Sequence, residues 1–307
     1  MKISKVTVAF FSPTGNVEKT AVTIGRKAAE VLDAGFAELN FGDLAARENV
    51  YSFYEDDLLV IGVPVYAGRI PNKILPFIQS GLNGKGTKCI PFVCFGNRSF
   101  DDGLSELVME MRENGFSVVG AAAIVSEHAF CPVLATGRPD EDDLAEIERF
   151  AEGVAGGLAG NGDFGDLASN CGVDIGIIED DVAVANKTQT GGTAVPEADV
   201  IPGNTPPGPY YTPLKQDGTP ARFLKAKPKT DEKKCNNCME CVSKCPMGSI
   251  DPHDPKAVPG ICIKCQACIH SCPEGARYFD DPDFISHRDF LAEKHSDRKE
   301  NLFICIM

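Results

Sequence analysis

The sequence predicts an α/β protein: a doubly wound parallel sheet of five strands, followed by a small α+β domain built on cysteines. Apolar, β-branched runs alternate with helix-like segments over residues 1–160, the pattern of a parallel sheet with its crossover helices. The run C-x-x-C-x-x-C-x-x-x-C-P then occurs twice, as Cys235, Cys238, Cys241, Cys245-Pro246 and as Cys262, Cys265, Cys268, Cys272-Pro273. Between these regions the texture turns to Gly, Ala, Asp, Thr and Pro, as in Pro202-Gly203-Asn204-Thr205-Pro206-Pro207, which marks a linker or an extended wrapping segment. The expected organisation is one domain over 1–160, a linker over 161–228, the cysteine domain over 229–282 and a helix or tail over 283–307.

The first strand is expected at residues 5–11, running into Ser12-Pro13-Thr14-Gly15-Asn16 and then a helix from Val17 to about residue 32. Strand, tight polar loop and helix make an anion-binding arrangement. The Ser12 and Thr14 hydroxyls and the N–H groups of the helix start can surround a phosphate, and Gly15 lets the backbone come close. The same residues suit a plain capped helix start. The loop lacks both a G-K-[ST] ending and G-x-G-x-x-G spacing, so nucleoside triphosphates and dinucleotides fit it poorly. Further strands are expected near 36–41 and at 57–63. The latter, Asp-Leu-Leu-Val-Ile-Gly-Val, is apolar enough for burial on both faces and ends in Pro64-Val65-Tyr66-Ala67-Gly68. A fourth strand over 88–95 ends in Phe95-Gly96-Asn97-Arg98-Ser99-Phe100-Asp101-Asp102, before a helix over 103–114. A fifth strand over 117–126 leads into Glu127-His128, and a covering helix follows over 140–157. Residues 172–195 carry alternation that suits an edge strand, 210–229 read as extended, and a charged helix is expected over 284–301. The loops after strands one, three and four all leave carboxyl ends, where doubly wound sheets bind ligands.

Runs of thiolates suit a soft metal held in tetrahedral geometry. A zinc site uses pairs of ligands rather than two runs of four each closed by Pro, and a disulfide framework would need an exported chain. The spacing resembles that of the bacterial two-cluster ferredoxins, in which the fourth Cys of each run reaches across to the other cluster. The resemblance implies two 4Fe-4S clusters, one on Cys235, Cys238, Cys241 and Cys272 and the other on Cys262, Cys265, Cys268 and Cys245. The three loops of the N-terminal part are similar to those of flavodoxins, which implies a flavodoxin-like sheet carrying FMN. By that resemblance Ser12, Thr14, Gly15, Asn16 and Val17 hold the phosphate, although Val17 stands where the family usually has another hydroxyl. Pro64, Val65, Tyr66, Ala67 and Gly68 would flank the isoalloxazine ring, with Tyr66 covering a ring face, and Phe95, Gly96, Asn97, Arg98, Phe100 and Asp102 would form the second flavin loop. His128 in the loop after strand five reads either as a polar surface residue, the more common case for a lone His, or as a proton donor close to the flavin. The whole chain thus resembles the fused flavodoxin and ferredoxin-type electron-transfer proteins of anaerobes.

The formal charge of −14 argues against nucleic acid and anionic membrane surfaces as partners. No apolar run approaches the roughly 18 residues of a membrane span. The N-terminus reads as a strand rather than a signal peptide, and 13 cysteines without an export signal imply a reducing compartment, so a cytoplasmic location is expected. Cys89, Cys94, Cys131, Cys171 and Cys305 have no ligand spacing, and the first two are expected in the core. The resemblance implies electron transfer between the two clusters and FMN, converting one-electron to two-electron steps for a redox partner protein: a ferredoxin, a reductase or an oxidoreductase. The alternative is an FMN-dependent reductase of a quinone, nitro or enone compound fed by its own clusters, with residues 127–138 and the linker shaping the pocket.

Overall fold

The computed structural model describes residues 2–160 and 201–306. The edge strand expected at 172–195 and Cys171 lie outside the described residues. In chain order the first half runs β1 (Lys5–Phe10), α1 (Asn16–Leu32), β2 (Gly35–Asn40), a short 3-10 turn (Ala45–Glu48), β3 (Tyr51–Phe53), β4 (Asp57–Pro64) and α2 (Leu75–Gly81). It continues through β5 (Leu82–Gly84), β6 (Lys88–Phe95), α3 (Gly103–Glu113), β7 (Ser117–Val118), β8 (Gly120–Val125) and α4 (Glu141–Leu158). The second half adds β9 (Lys229–Thr230), α5 (Glu240–Ser243), α6 (Ala267–His270), β10 (Arg277–Tyr278), α7 (Pro282–Lys294) and β11 (Leu302–Cys305).

The five expected parallel strands are present and pair in the order β2-β1-β4-β6-β8. Numbered among themselves these strands read 2-1-3-4-5, the flavodoxin-like order, whose direction reverses between β1 and β4. Two features go beyond the sequence reading. The helix expected over 284–301 stops at Lys294, and the chain then returns to the sheet as β11, antiparallel to β8, with Leu302 opposite Ala123 and Cys305 opposite Gly120. The apolar run Leu302-Phe303-Ile304-Cys305 is β-prone but short, and the charged stretch before it hides the change of state. Separately, β3 and β5 form a parallel pair of three residues each, too brief to leave a periodic signal.

Both faces of the sheet are covered. Along β4 the residues from Leu58 to Val63 are all buried, as expected of a strand between two layers. Ile24 and Ala28 of α1 and Phe150 and Val154 of α4 close one face, while Phe77 and Ile78 of α2 and Leu107 and Met111 of α3 close the other. Cys89 and Cys94 are buried in this core, as expected. Phe303 of β11 joins the α1/α4 side, its ring centroid 5.2 Å from that of Phe150. A fully buried side chain of this kind contributes roughly 1.5–3 kcal/mol through removal from water. Among the described residues no helix is long and apolar enough to cross a membrane.

The cysteine domain sits over the carboxyl ends of the parallel strands. Arg47, after β2, donates to the Pro246 carbonyl. Ile263 packs into the apolar group of the α2/α3 face, and His270 Nε2 lies 2.8 Å from the carbonyl oxygen of Ala129, in the loop after β8. The chain leading to β11 is clasped as well. Asn97 Nδ2 donates to the carbonyls of His295 and Asp297 at 2.6 and 2.8 Å, and Arg138 Nη1 donates to the carbonyl of Lys299 at 2.6 Å.

Candidate functional site

The two cysteine runs fold alike because they carry the same backbone devices. Asn237 and Met239 in the first run, and Lys264 and Gln266 in the second, hold φ between 58° and 64°. These left-handed residues turn the chain around each central cysteine and launch the one-turn helices α5 and α6. Each run closes on a glycine with φ 56°, Gly248 or Gly275. The next residue then aims its N–H at a thiol: Ser249 N lies 3.3 Å from Cys245 Sγ, and Ala276 N lies 3.2 Å from Cys272 Sγ. Backbone donors of this kind tune a metal-bound sulfur.

The eight cysteines line two recesses. One gathers Cys262, Cys265 and Cys268 with Cys245, inside apolar walls that include Ile250, Val258, Ile261 and Phe279. The other gathers Cys235, Cys238 and Cys241 with Cys272, beside Arg277. Each recess therefore takes three thiols from one run and the fourth from the other. Among the described residues no His, Cys, Asp or Glu trio is gathered for a single metal ion. Burial pushes the Cys265 thiol up to about 12 and that of Cys268 up to about 11, so ionisation here calls for a bound cation. The donor set fits an iron-sulfur group. A further observation agrees: Arg277 is buried, and its Nε and Nη2 find no hydrogen-bond acceptor, as expected of donors that face an anionic group.

Three loops of the sheet end at the same edge. At the start of α1, Gly15 has φ 93° and is exposed, with open space around the position a Cβ would take. Ser12 Oγ accepts from Glu18 N at 2.9 Å, which leaves its O–H free to donate outward. Val17, where another hydroxyl was expected, is buried in the core instead. The N-terminus of a helix of 17 residues with an exposed glycine before it is a ready anion site, and the phosphate end of FMN fits it.

After β4, Tyr66 and Arg69 exchange backbone hydrogen bonds across Ala67 and Gly68, whose φ values of 50° and 79° make a tight two-residue turn. A Cβ on Gly68 would lie 2.2 Å from Asp101 Oδ2, so the turn is pressed against the loop after β6. Burial pushes the Tyr66 phenol well above its ordinary range, and Cys265 and Cys262 act on it next. Ile263, which lines the recess of the second run, packs into the same apolar group as Val65 of this loop. Pro64, Val65 and Ala67 are half-buried beside Tyr66.

The loop after β6 is drawn partly into the chain's own packing. Asn97 takes φ 64° and carries the bonds to residues 295 and 297, so its amide holds the C-terminal segment. The Asp102 carboxylate accepts from Asn204 N at 2.8 Å and Gly208 N at 2.7 Å, and fixes the end of the linker. Phe100 packs edge-on to Phe95 at 5.4 Å. Arg98 pairs with Asp101 and lies 4.1 Å over the Tyr211 ring. Gly96 and Arg98 remain half-buried at the mouth. Residues 208–211 form a strap across these loops: Tyr211 N donates to Ala67 O at 2.8 Å, and Arg69 donates to the Gly208 carbonyl. Arg69 is itself fixed by a two-point pair with Glu106, at 2.8 and 2.5 Å.

His128 packs onto the loop after β6. Its ring lies over Gly96, where a Cβ would meet His128 Cδ2 at 2.4 Å, and edge-on to Phe130 at 4.4 Å. Burial first, then His287, Arg98 and His295, hold its pKa down at about 3. At neutral pH the ring is therefore neutral, with one N–H. The strap, the Arg69–Glu106 pair and Arg277 were not legible as site residues from spacing. Arg277 left one signal: it stands where the first repeat has Ile250.

Residues 227–250 match the family model of a 4Fe-4S binding domain, and residues 259–275 match a second 4Fe-4S binding domain model. Together these spans contain all eight cysteines of the two runs. Among curated proteins none matches the chain. Solved structures similar to it include a flavodoxin from Archaea, at 18% identity over 50% of this chain and 99% of that one, with a TM-score of 0.37. Megasphaera elsdenii flavodoxin is similar at 19% identity over 49% of this chain and 98% of its own, TM-score 0.34. Flavodoxin 2 from Bacillus cereus is similar at 20% identity over 51% and 99%, TM-score 0.36. The chain is a redox-type protein that joins a sheet of flavodoxin-like order to two 4Fe-4S binding segments.

Proposed function

We propose that this protein transfers electrons between two 4Fe-4S clusters and FMN, converting one-electron to two-electron steps for a redox partner protein. The observation that carries the reading is the packing of Ile263, from the lining of the second cysteine recess, into the same apolar group as Val65, in the loop that flanks the expected flavin ring. When bound, the clusters supply single-electron steps, and FMN supplies one or two. Cys262, Cys265, Cys268 and Cys245 hold the inner cluster, and Cys235, Cys238, Cys241 and Cys272 hold the outer one, where Cys238 is exposed. The helix-start N–H groups with Ser12 and Thr14 bind the phosphate, and Tyr66 and Gly96 line the ring. A partner protein would meet the chain at the exposed Cys238, on the recess that would hold the outer cluster.

The carrier reading has more support than a small-molecule reductase. The strap from Gly208 to Tyr211 lies over the loops where a small substrate would have to enter. The test is protein purified without oxygen, with iron, sulfide and FMN counted per chain and a visible spectrum taken during stepwise reduction. About eight irons with one FMN, reducing in linked steps, is the expected result. Eight irons without flavin would overturn the reading.

A further inference from the structure

Arg277 occupies a position that the chain's internal repeat fills differently in its other half. The closing segments Cys245-Pro246-Met247-Gly248-Ser249-Ile250 and Cys272-Pro273-Glu274-Gly275-Ala276-Arg277 align residue for residue. Both end residues are buried at 4% exposure, so one half places a neutral Ile where the other places a guanidinium. A buried arginine is ordinarily paired with a carboxylate. Among the described residues Arg277 has no such ion pair. Its Nη1 donates to two neutral oxygens, Thr230 Oγ1 and the Pro255 carbonyl, both at 2.6 Å. Its Nε and Nη2 are buried and unpartnered. The guanidinium belongs to the recess of Cys235, Cys238, Cys241 and Cys272, yet both its charge and a side-chain hydrogen bond act on Cys268 of the other recess. Arg277 therefore stands between the two sets of thiols, with two N–H groups and one positive charge left over.

We propose that Arg277 is the shared countercharge of the two clusters: it points Nε–H and Nη2–H at cluster sulfur and raises both reduction potentials. This rests on the iron-sulfur reading above. Each cluster takes up one electron from the reductant and gains one negative charge, with no bond made or broken. A fixed cation close by, in a region that excludes water, stabilises the reduced state more than the oxidised one. Only the guanidinium can do this at all relevant pH values, because it does not lose its proton. An Ile at this position, as in the other repeat, would leave both clusters harder to reduce.

The test uses the full chain loaded with its clusters, the variants Arg277→Gln and Arg277→Lys, and a potentiometric titration followed by electron paramagnetic resonance. Arg277→Gln is expected to keep the iron content and to make reduction of each cluster about tenfold less favourable, a fall of about 59 mV for a one-electron couple. Arg277→Lys keeps the charge and is expected to keep most of the potential. The inference is overturned if Arg277→Gln leaves both potentials in place, or if the two variants lower them equally. Should neither variant load its clusters, wild-type protein labelled with 15N-arginine decides: the Arg277 Nε–H resonance must shift between oxidised and reduced protein, and a resonance that does not move refutes the proposal. A chain without iron would instead refute the functional reading, so the two failures are distinct.

Discussion

Replacing Asp143 with Asn removes one charge from the most buried ion pair of the sheet domain. Asp143 and Arg138 have side chains only 2% and 3% exposed, 2.5 Å apart at their closest. The carboxylate accepts from Arg138 Nε at 2.8 Å, from Asp140 N at 2.9 Å and from Asn301 Nδ2 at 2.8 Å, and Asn301 in turn accepts from Val125 N at 2.9 Å. One carboxylate thus ties α4, the loop after β8 and the approach to β11. Removing one member of a buried pair leaves the other charge unpaired, at a cost of about 3–5 kcal/mol. That is a large share of the ~5–15 kcal/mol stability of a folded protein. The assay is denaturant or thermal unfolding under anaerobic conditions, with proteolysis as a probe of the C-terminal segment. A pH arm separates charge from shape. Burial pushes the Asp143 carboxyl up, but the bonds from Arg138, Asp140 and Asn301 hold it at about 2, below its ordinary 3.8. Its contribution is complete above the ordinary value and is lost as pH falls towards 2. Wild type is expected to lose stability relative to Asp143→Asn across that window. A variant within about 1 kcal/mol of wild type, with the same acid limb, would refute the clasp.

The other expectations concern the histidines, the anion site and the last strand. The lowered pKa of His128, about 3 against an ordinary 6.5, means that the unfolded chain binds the extra proton first, so stability should fall with pH from about 6.5 downward. The slope is up to about 1.4 kcal/mol per pH unit, and His128→Asn should flatten it in unfolding curves measured between those values. Gly15→Val forces a β-branched residue to φ 93° beside the helix start, at a strain of about 1–3 kcal/mol. It should lower flavin content while leaving iron per chain unchanged; equal loss of both would point to misfolding. Phe303→Ala removes a ring packed on Phe150 and should destabilise the sheet by about 3–5 kcal/mol in denaturant unfolding.

Much of this fold is legible because its signals are periodic and local. The strand at 57–64 announces itself as an unbroken apolar run, and the cysteine runs carry their own turn geometry. β11 does not, because a four-residue strand owes its state to pairing with Ala121, Ala122 and Ala123 rather than to its own pattern. The same holds for Asn97 and Asp102. Their place after a strand reads as ligand contact, but their amide and carboxylate are satisfied by backbone from residues 204, 208, 295 and 297, across distances in sequence that no local pattern reports. The surroundings of His128 are hidden for a related reason: protonation depends on what buries a ring, and its neighbours Gly96 and Arg98 on one side and His287 on the other come from two distant segments.

The return of β11 to the sheet makes the iron-sulfur domain an insertion rather than an appendage. The chain leaves the sheet after α4, builds both cysteine recesses, and then re-enters beside β8. Among the described residues the domain is tied to the sheet on both sides, by the strap at 208–211 before it and by β11 after it. Ile263, packed into the α2/α3 side of the sheet, adds a third tie between the domain and the sheet. The last strand of the sheet thus depends on the cysteine domain being built before it, because its residues come after both recesses in the chain.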